Sequence, residues 1–240
     1  LKMIEKILIR GERCSGTNYL YSLIEKNFNI ELCSQLGWKH SYINIFNKNL
    51  HNHEKYLVIF IFRNPIDWIG SLYQKLWHFE KSIKKQKYEN IGEFIISEPK
   101  QLIKGLNELK DFNEENELYW ERNPFTLKRA ENICELRNWK NENYLSSTNI
   151  LSNVEFVKYE KLFENPRLFM DYINDKYIKQ KYEFENVTTY KGLEKKGTYI
   201  PKQYEKLTEK DLIFIENNLD WELENKIGYK KTILENYVYE

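Results

Sequence analysis

Residues 56–62, YLVIFIF, are apolar at every position, the pattern of a β-strand covered on both faces. Met3–Ile9 is a second, largely apolar run of strand length. It leads into Gly11–Gly16 and then into Thr17–Asn27, where Leu20, Leu23, Ile24 and Phe28 recur at helical spacing. Strand, glycine-bounded loop and helix is the opening of an α/β domain. Gln35–His40 reads as a second short strand end. After the apolar run, Pro65 stands where a helix begins, and Ile66–Glu80 carries Ile69, Leu72, Tyr73 and Leu76 on one face.

Lys81–Tyr88 is charged and reads as a surface connection. Ile91–Leu109 and Leu118–Lys140 are predicted helices, the second with Asn123-Pro124 as a start or kink. Val154–Val157 is a third clear strand, and Tyr159–Tyr177 reads as a turn and helix with Pro166 in its first turn. Glu183–Ile200 lacks periodicity and reads as a loop. Leu207–Leu219 is expected to be the final helix, with Thr208 as its cap, and Asp220–Tyr229 closes the fold. No repeat or linker interrupts the pattern. The expectation is one domain over residues 1–240, a three-layer α/β fold with a mainly parallel sheet between helices. The helical stretch 90–140 is expected as a cap-like insertion.

Composition narrows the function classes. Over 240 residues, 41% hydrophobic and 15% aromatic content supports an ordinary core and argues against disorder, although the mean hydropathy is -0.71. The 37 basic and 36 acidic residues leave a net charge of +1, which does not fit a whole-surface nucleic-acid binder but leaves room for a local anion site. Cys14, Cys33 and Cys134 are widely spaced, so a disulfide framework or structural zinc is not expected and a reducing compartment is. No apolar run approaches the roughly 18 residues of a membrane span. A cytoplasmic protein is the expectation, with its oligomeric state open.

The first loop, Gly11-Glu12-Arg13-Cys14-Ser15-Gly16-Thr17-Asn18, carries the first candidate chemistry. Backbone amides of such a turn, together with those at a helix start, form an anion site. Ser15 and Thr17 add hydroxyls, and Arg13 adds a forked cation suited to phosphate or sulfate. A nucleoside-triphosphate loop of the form GxxxxGK[ST] needs Lys where this chain has Thr17. A second cluster follows the strongest strand: Arg63-Asn64-Pro65-Ile66-Asp67, with Ser71 eight residues past Arg63, just over two helical turns. Ligands of open α/β sheets collect beyond the carboxyl ends of strands, where Arg63 and the first loop both belong. The pair of clusters points to a ligand with two separated anionic groups.

These segments resemble the sulfotransferases that use 3′-phosphoadenosine 5′-phosphosulfate (PAPS). Arg13-Cys14-Ser15-Gly16-Thr17-Asn18-Tyr19-Leu20 is similar to that family's 5′-phosphosulfate loop, [PR]-[KR]-S-G-T-T-x-[LM]. Arg63-Asn64-Pro65-Ile66-Asp67 through Ser71 fits its 3′-phosphate motif, R-[ND]-P-x-D-x-x-x-S. Val157-Lys158-Tyr159-Glu160-Lys161-Leu162 with Pro166 resembles its late strand and YE-x-L segment, and Ile227-Gly228-Tyr229 resembles its ending. The ordered motifs span residues 3–166, with a weaker echo to 229. The resemblance implies a P-loop-like sulfotransferase fold and PAPS as sulfuryl donor, with 3′-phosphoadenosine 5′-phosphate (PAP) as product and no metal required. The family's loop cation falls at Cys14; here Arg13, one residue earlier, or Lys39 supplies the charge. Lys195-Lys196-Gly197 resembles the family's late basic-glycine loop around the 3′-phosphoadenosine.

Sulfuryl transfer needs a base for the acceptor hydroxyl or amine and cations where charge develops. Trp38-Lys39-His40 is the leading candidate, with His40 as base and Lys39 beside it. Glu12 and Glu160 are carboxylate alternatives, although Glu160 fits better as a residue holding a loop. Trp38 and Trp77 are candidate groove-lining aromatics. His51 and His53, two residues apart, make a weak metal motif, and His78 stands apart from them. The leading expectation is a PAPS-dependent sulfotransferase acting on a small molecule or carbohydrate. The competitors are a P-loop-type nucleotide or metabolite kinase and a non-catalytic nucleotide- or anion-binding protein.

Overall fold

The computed structural model describes residues 4–34, 37–43, 54–83, 87–103, 117–189, 192–193 and 196–234. They fall into two compact units, each built from two separate stretches of chain: Leu1–Asn64 with Tyr144–Gln203, and Pro65–Asn143 with Tyr204–Glu240.

The first unit holds a four-stranded, all-parallel sheet. Its strands are β1 (Lys6–Arg10), β2 (Glu31–Leu32), β3 (Tyr56–Phe62) and β4 (Val154–Lys158), in the order β2-β1-β3-β4. All seven residues of β3 are buried, as expected of a strand with neighbours on both sides. Helix α1 (Thr17–Asn27) connects β1 to β2, burying Leu20, Leu23 and Ile24 against Ile7, Ile9, Leu57, Ile59 and Ile61. After β4 come α6 (Tyr159–Glu164) and α7 (Pro166–Ile173), then one π-helical turn at Asn174–Ile178. Asn165 caps α7 by accepting from Leu168 N, and Pro166 takes the first-turn position where its missing N–H costs nothing. Met170 and Ile173 complete the core cluster.

The second unit carries α2 (Pro65–Tyr73), α3 (Glu80–Ile83), α4 (Ile91–Ile96), α5 (Ile133–Ser146), whose last turn lies in the first unit, α8 (Glu209–Asn218) and α9 (Trp221–Ile227). Trp68, Ile69, Phe79, Phe94, Ile95 and Ile215 are each fully buried here. Two ion pairs are buried among them. Arg137 grips Glu224 with two parallel hydrogen bonds, Nε to Oε1 at 2.5 Å and Nη2 to Oε2 at 2.9 Å. Lys140 lies 2.7 Å from a carboxylate oxygen of Glu121.

Several sequence expectations need correction. The second strand is Glu31–Leu32, not Gln35–His40. Gly37, at φ +91°, opens a turn that Ser41 N closes on Trp38 O, and this turn occupies the described part of that segment. The helix expected to run to Glu80 ends at Tyr73, and α3 begins at Glu80 and runs into the expected 81–88 connection. The helix expected over 91–109 stops at Ile96, because Glu98 precedes Pro99 and is pushed out of the helical region. The chain then pairs in extended form, Gln101 with Phe79 and Leu102 with Glu117. The helix expected from 118 begins only at Ile133. Before it, Asn123 turns the chain by accepting from the amides of Phe125 and Thr126, and Leu127 takes φ +58°. Thr208 caps α8 in a reciprocal capping box with Asp211, but α9 follows, so α8 is not the final helix. No described helix is long and apolar enough to cross a membrane.

Candidate functional site

The sheet order sets the location. From β1 the chain steps to β2 on one side, and then to β3 on the other, so the carboxyl ends of β1 and β3 flank the switch point of the sheet. The loop Gly11–Gly16 leaves β1 there, and Arg63 leaves β3 there.

Two glycines let this loop lie close to its neighbours. A Cβ on Gly11 would sit 2.4 Å from Ile61 O of β3. One on Gly16, which is at φ +103°, would sit 2.4 Å from the Tyr159 ring. Between them Cys14 takes φ +65°, and Ser15 folds back so that its N–H and its hydroxyl both donate to Glu12 O, at 3.2 and 2.6 Å. Gly16 is the residue preceding α1 and offers no side chain to cap it, so the first amides of an 11-residue helix face the loop without a side-chain acceptor from that position. Arg13 is buried, Cys14 half-buried, and Ser15 and Thr17 buried.

Arg63 joins the two strand ends. Its Nη1 donates to Cys14 O at 3.0 Å, and its guanidinium lies 4.9 Å from the centroid of the Tyr159 ring. Glu160 accepts from Asn64 N at 2.8 Å, which makes it the loop-holding residue and fixes the chain just after Arg63.

The Gly37–Ser41 turn is held against the same loop. Gly11 N donates to Lys39 O at 3.2 Å, and the His40 Nδ1 lies 2.7 Å from Gly11 O. A carbonyl oxygen can only accept, so Nδ1 carries the hydrogen and Nε2 is the basic nitrogen of the neutral ring. Lys39 donates to Asn18 Oδ1 at the start of α1. Trp38 packs edge-on against the His40 ring, with centroids 5.0 Å apart. A cleft of about 230 Å³ beside this turn is lined by, among others, Thr17, Lys39, Arg10, Cys33 and Ser34. The structure therefore brings together Arg13–Asn18, Lys39, His40 and Arg63.

The other sequence candidates fall elsewhere. Ser71 lies on α2, in the second unit. Lys195 lies outside the described residues, as do His51 and His53. Lys196 and Gly197 sit exposed, Gly197 at φ +68°, in a loop closed by Tyr199 N donating to Thr188 O. Trp77 is exposed on the second unit, where His78 is also found, its Nδ1 3.0 Å from Leu102 O. Among the described residues no group of three or more His, Cys, Asp or Glu side chains could hold a metal ion.

One feature of the site escaped the sequence. Tyr19, Tyr159, Phe163 and Tyr199 form an aromatic cluster beside the loop: Tyr159 stacks on Phe163 at 5.8 Å, Phe163 meets Tyr199 edge-on at 5.6 Å, and Tyr159 and Tyr199 share a hydroxyl contact at 3.2 Å. Burial pushes the Tyr19 phenol up to about 12, so it stays neutral. Tyr199 ties the Lys196-Gly197 loop to this cluster, and through Tyr159 to Gly16.

Compared with known proteins, the sequence matches no family model and no curated protein.

Proposed function

We propose that this chain is a PAPS-dependent sulfotransferase. The observation that carries the reading is the meeting of two anion-binding strand ends at one switch point, Arg63 after β3 donating to the backbone of the Arg13–Asn18 loop after β1. Their chemistry fits a donor with two anionic groups. The loop amides, Ser15, Thr17 and Arg13 hold the phosphosulfate, and Arg63 holds the 3′-phosphate. Lys196 and Gly197 contribute to the 3′-phosphoadenosine site. The fold in this reading is the P-loop-like sulfotransferase fold.

In the transfer step the acceptor oxygen or nitrogen gives its proton to His40 Nε2 as it bonds to sulfur. The bond from sulfur to the bridging phosphate oxygen breaks, and PAP leaves with the electron pair. Lys39 and the loop amides stabilise the charge that grows on that bridging oxygen. The acceptor is a small molecule or carbohydrate carrying a hydroxyl or amine.

A thermal-shift comparison of PAP, 5′-AMP and ATP tests the reading. Saturation at 100 times Kd adds about 2.7 kcal/mol to the native state, roughly 5–11 °C for a chain of this size. PAP is expected to reach that range, with AMP and ATP well below it. Equal shifts for PAP and AMP would remove the two-anion argument, and a larger shift with ATP would favour a kinase.

A further inference from the structure

Arg10, the last residue of β1, is 1% exposed, and no carboxylate pairs with it among the described residues. Burial pulls its guanidinium down to about 10, which still leaves it charged at neutral pH. Its Nη2 has no hydrogen-bond partner there either. An uncompensated buried cation is costly, and an apolar side chain would fill the same position at less expense of stability. Its Nη1 identifies what the charge holds: it donates to Trp38 O and, at 3.3 Å, to Ser41 Oγ, the two ends of the turn that carries Lys39 and His40. Ser41 Oγ in turn lies 2.7 Å from Trp38 O, so the guanidinium and the hydroxyl close the turn together.

Among the described residues the turn pairs with no strand, and β2 ends at Leu32, five residues before Gly37. Further ties run to Gly11, the residue after Arg10, and to Asn18 of α1. Two weak contacts of 3.4 Å from the Tyr144 hydroxyl reach His40 O and Ser41 O. We infer that Arg10 is a positioning residue, which sets the Lys39–His40 turn against the first loop and so selects the ring tautomer of His40. This rests on the sulfotransferase reading for its catalytic meaning, but its geometry is testable without any acceptor.

The test is nitrogen-15 NMR of the imidazole ring of His40 in wild type, Arg10→Met and Arg10→Lys, each checked for folding by circular dichroism. Wild type is expected to show one ring species protonated at Nδ1. Arg10→Met is expected to show the Nε2-protonated tautomer at a comparable population, because the turn has lost both of its guanidinium bonds. Arg10→Lys is expected to fall between the two, since an ammonium can still reach one acceptor. The inference is overturned if wild-type His40 is protonated at Nε2, or if folded Arg10→Met keeps a single Nδ1-protonated species with only its melting temperature lowered. Should Arg10→Met fail to fold, Arg10→Lys decides: a shift toward the Nε2 tautomer upholds the inference, and an unchanged ring overturns it. Failure of PAP to outdo AMP on the wild-type protein would refute the sulfotransferase reading and leave the tautomer result standing.

Discussion

The Arg137–Glu224 pair allows the sharpest stability prediction. Both side chains are essentially sealed from solvent, at 2% and 0% exposure, and the carboxylate also accepts from Asn141 Nδ2 at 2.9 Å. Glu224→Gln preserves the shape but removes the charge, and it turns one end of the group into a donor facing a guanidinium that only donates. Breaking a buried pair from one side costs about 3–5 kcal/mol. Against a total of roughly 5–15 kcal/mol for an ordinary domain, that is a large share. The expected fall in melting temperature is about 6–20 °C for a chain of this length. Urea unfolding followed by tryptophan fluorescence is the suitable assay, because the Trp68 ring lies 5.1 Å from the Arg137 guanidinium carbon. The double variant Arg137→Met with Glu224→Leu removes both charges and should recover most of the loss. Glu164→Gln breaks the solvent-exposed pair with Lys161 and should change nothing measurable. A loss below about 1 kcal/mol in Glu224→Gln would refute the argument from burial.

Two further outcomes follow from the site and the core. Gly16→Ala places a methyl group against the Tyr159 ring at a positive φ, a conformation that alone costs about 1–3 kcal/mol; a melting scan should show the loss, and PAP should no longer stabilise the protein. Burial pushes the Cys134 thiol up to about 12, while Cys14 and Cys33 are half-buried. A thiol reagent at pH 8 should therefore modify at most two cysteines in the native protein and all three after denaturation, and native labelling of Cys134 by mass spectrometry would contradict its placement.

The elements legible in the sequence are those whose signal is local. β1, α1, β3 and β4 each announce themselves by an apolar run or a helical stripe, and the loop between β1 and α1 is defined by its own glycines. Periodicity extends the helices over 91–109 and 118–140 too far because apolar residues there satisfy bridges and turns instead. Leu102 pairs beside Glu117, and Asn123 folds the chain on itself, neither of which spacing alone reveals. The burial of Arg137 and Lys140 depends on their pairing with Glu224 and Glu121, which helical spacing alone does not reveal. The aromatic cluster is hidden for the same reason, since Tyr19, Tyr159 and Tyr199 come from three distant segments. Lys39 and His40 are legible as residue types, but the turn that presents them is not, because Gly37 and the grip of Arg10 lie outside any periodic pattern.

The placement of β4 has a consequence for the order of events during synthesis. β3 pairs on one side with β1, which precedes it, but on the other with β4, which begins at Val154. At translation rates of roughly 5–20 residues per second, the ribosome needs about 5–18 s to add the intervening chain. Throughout that interval YLVIFIF has a bare edge, in a segment with the apolar, uncharged, proline-free character that promotes strand addition by other chains. Nascent chains of this protein are thus most vulnerable to aggregation between Phe62 and Val154, and pauses in translation there should reduce soluble yield more than pauses after Lys158.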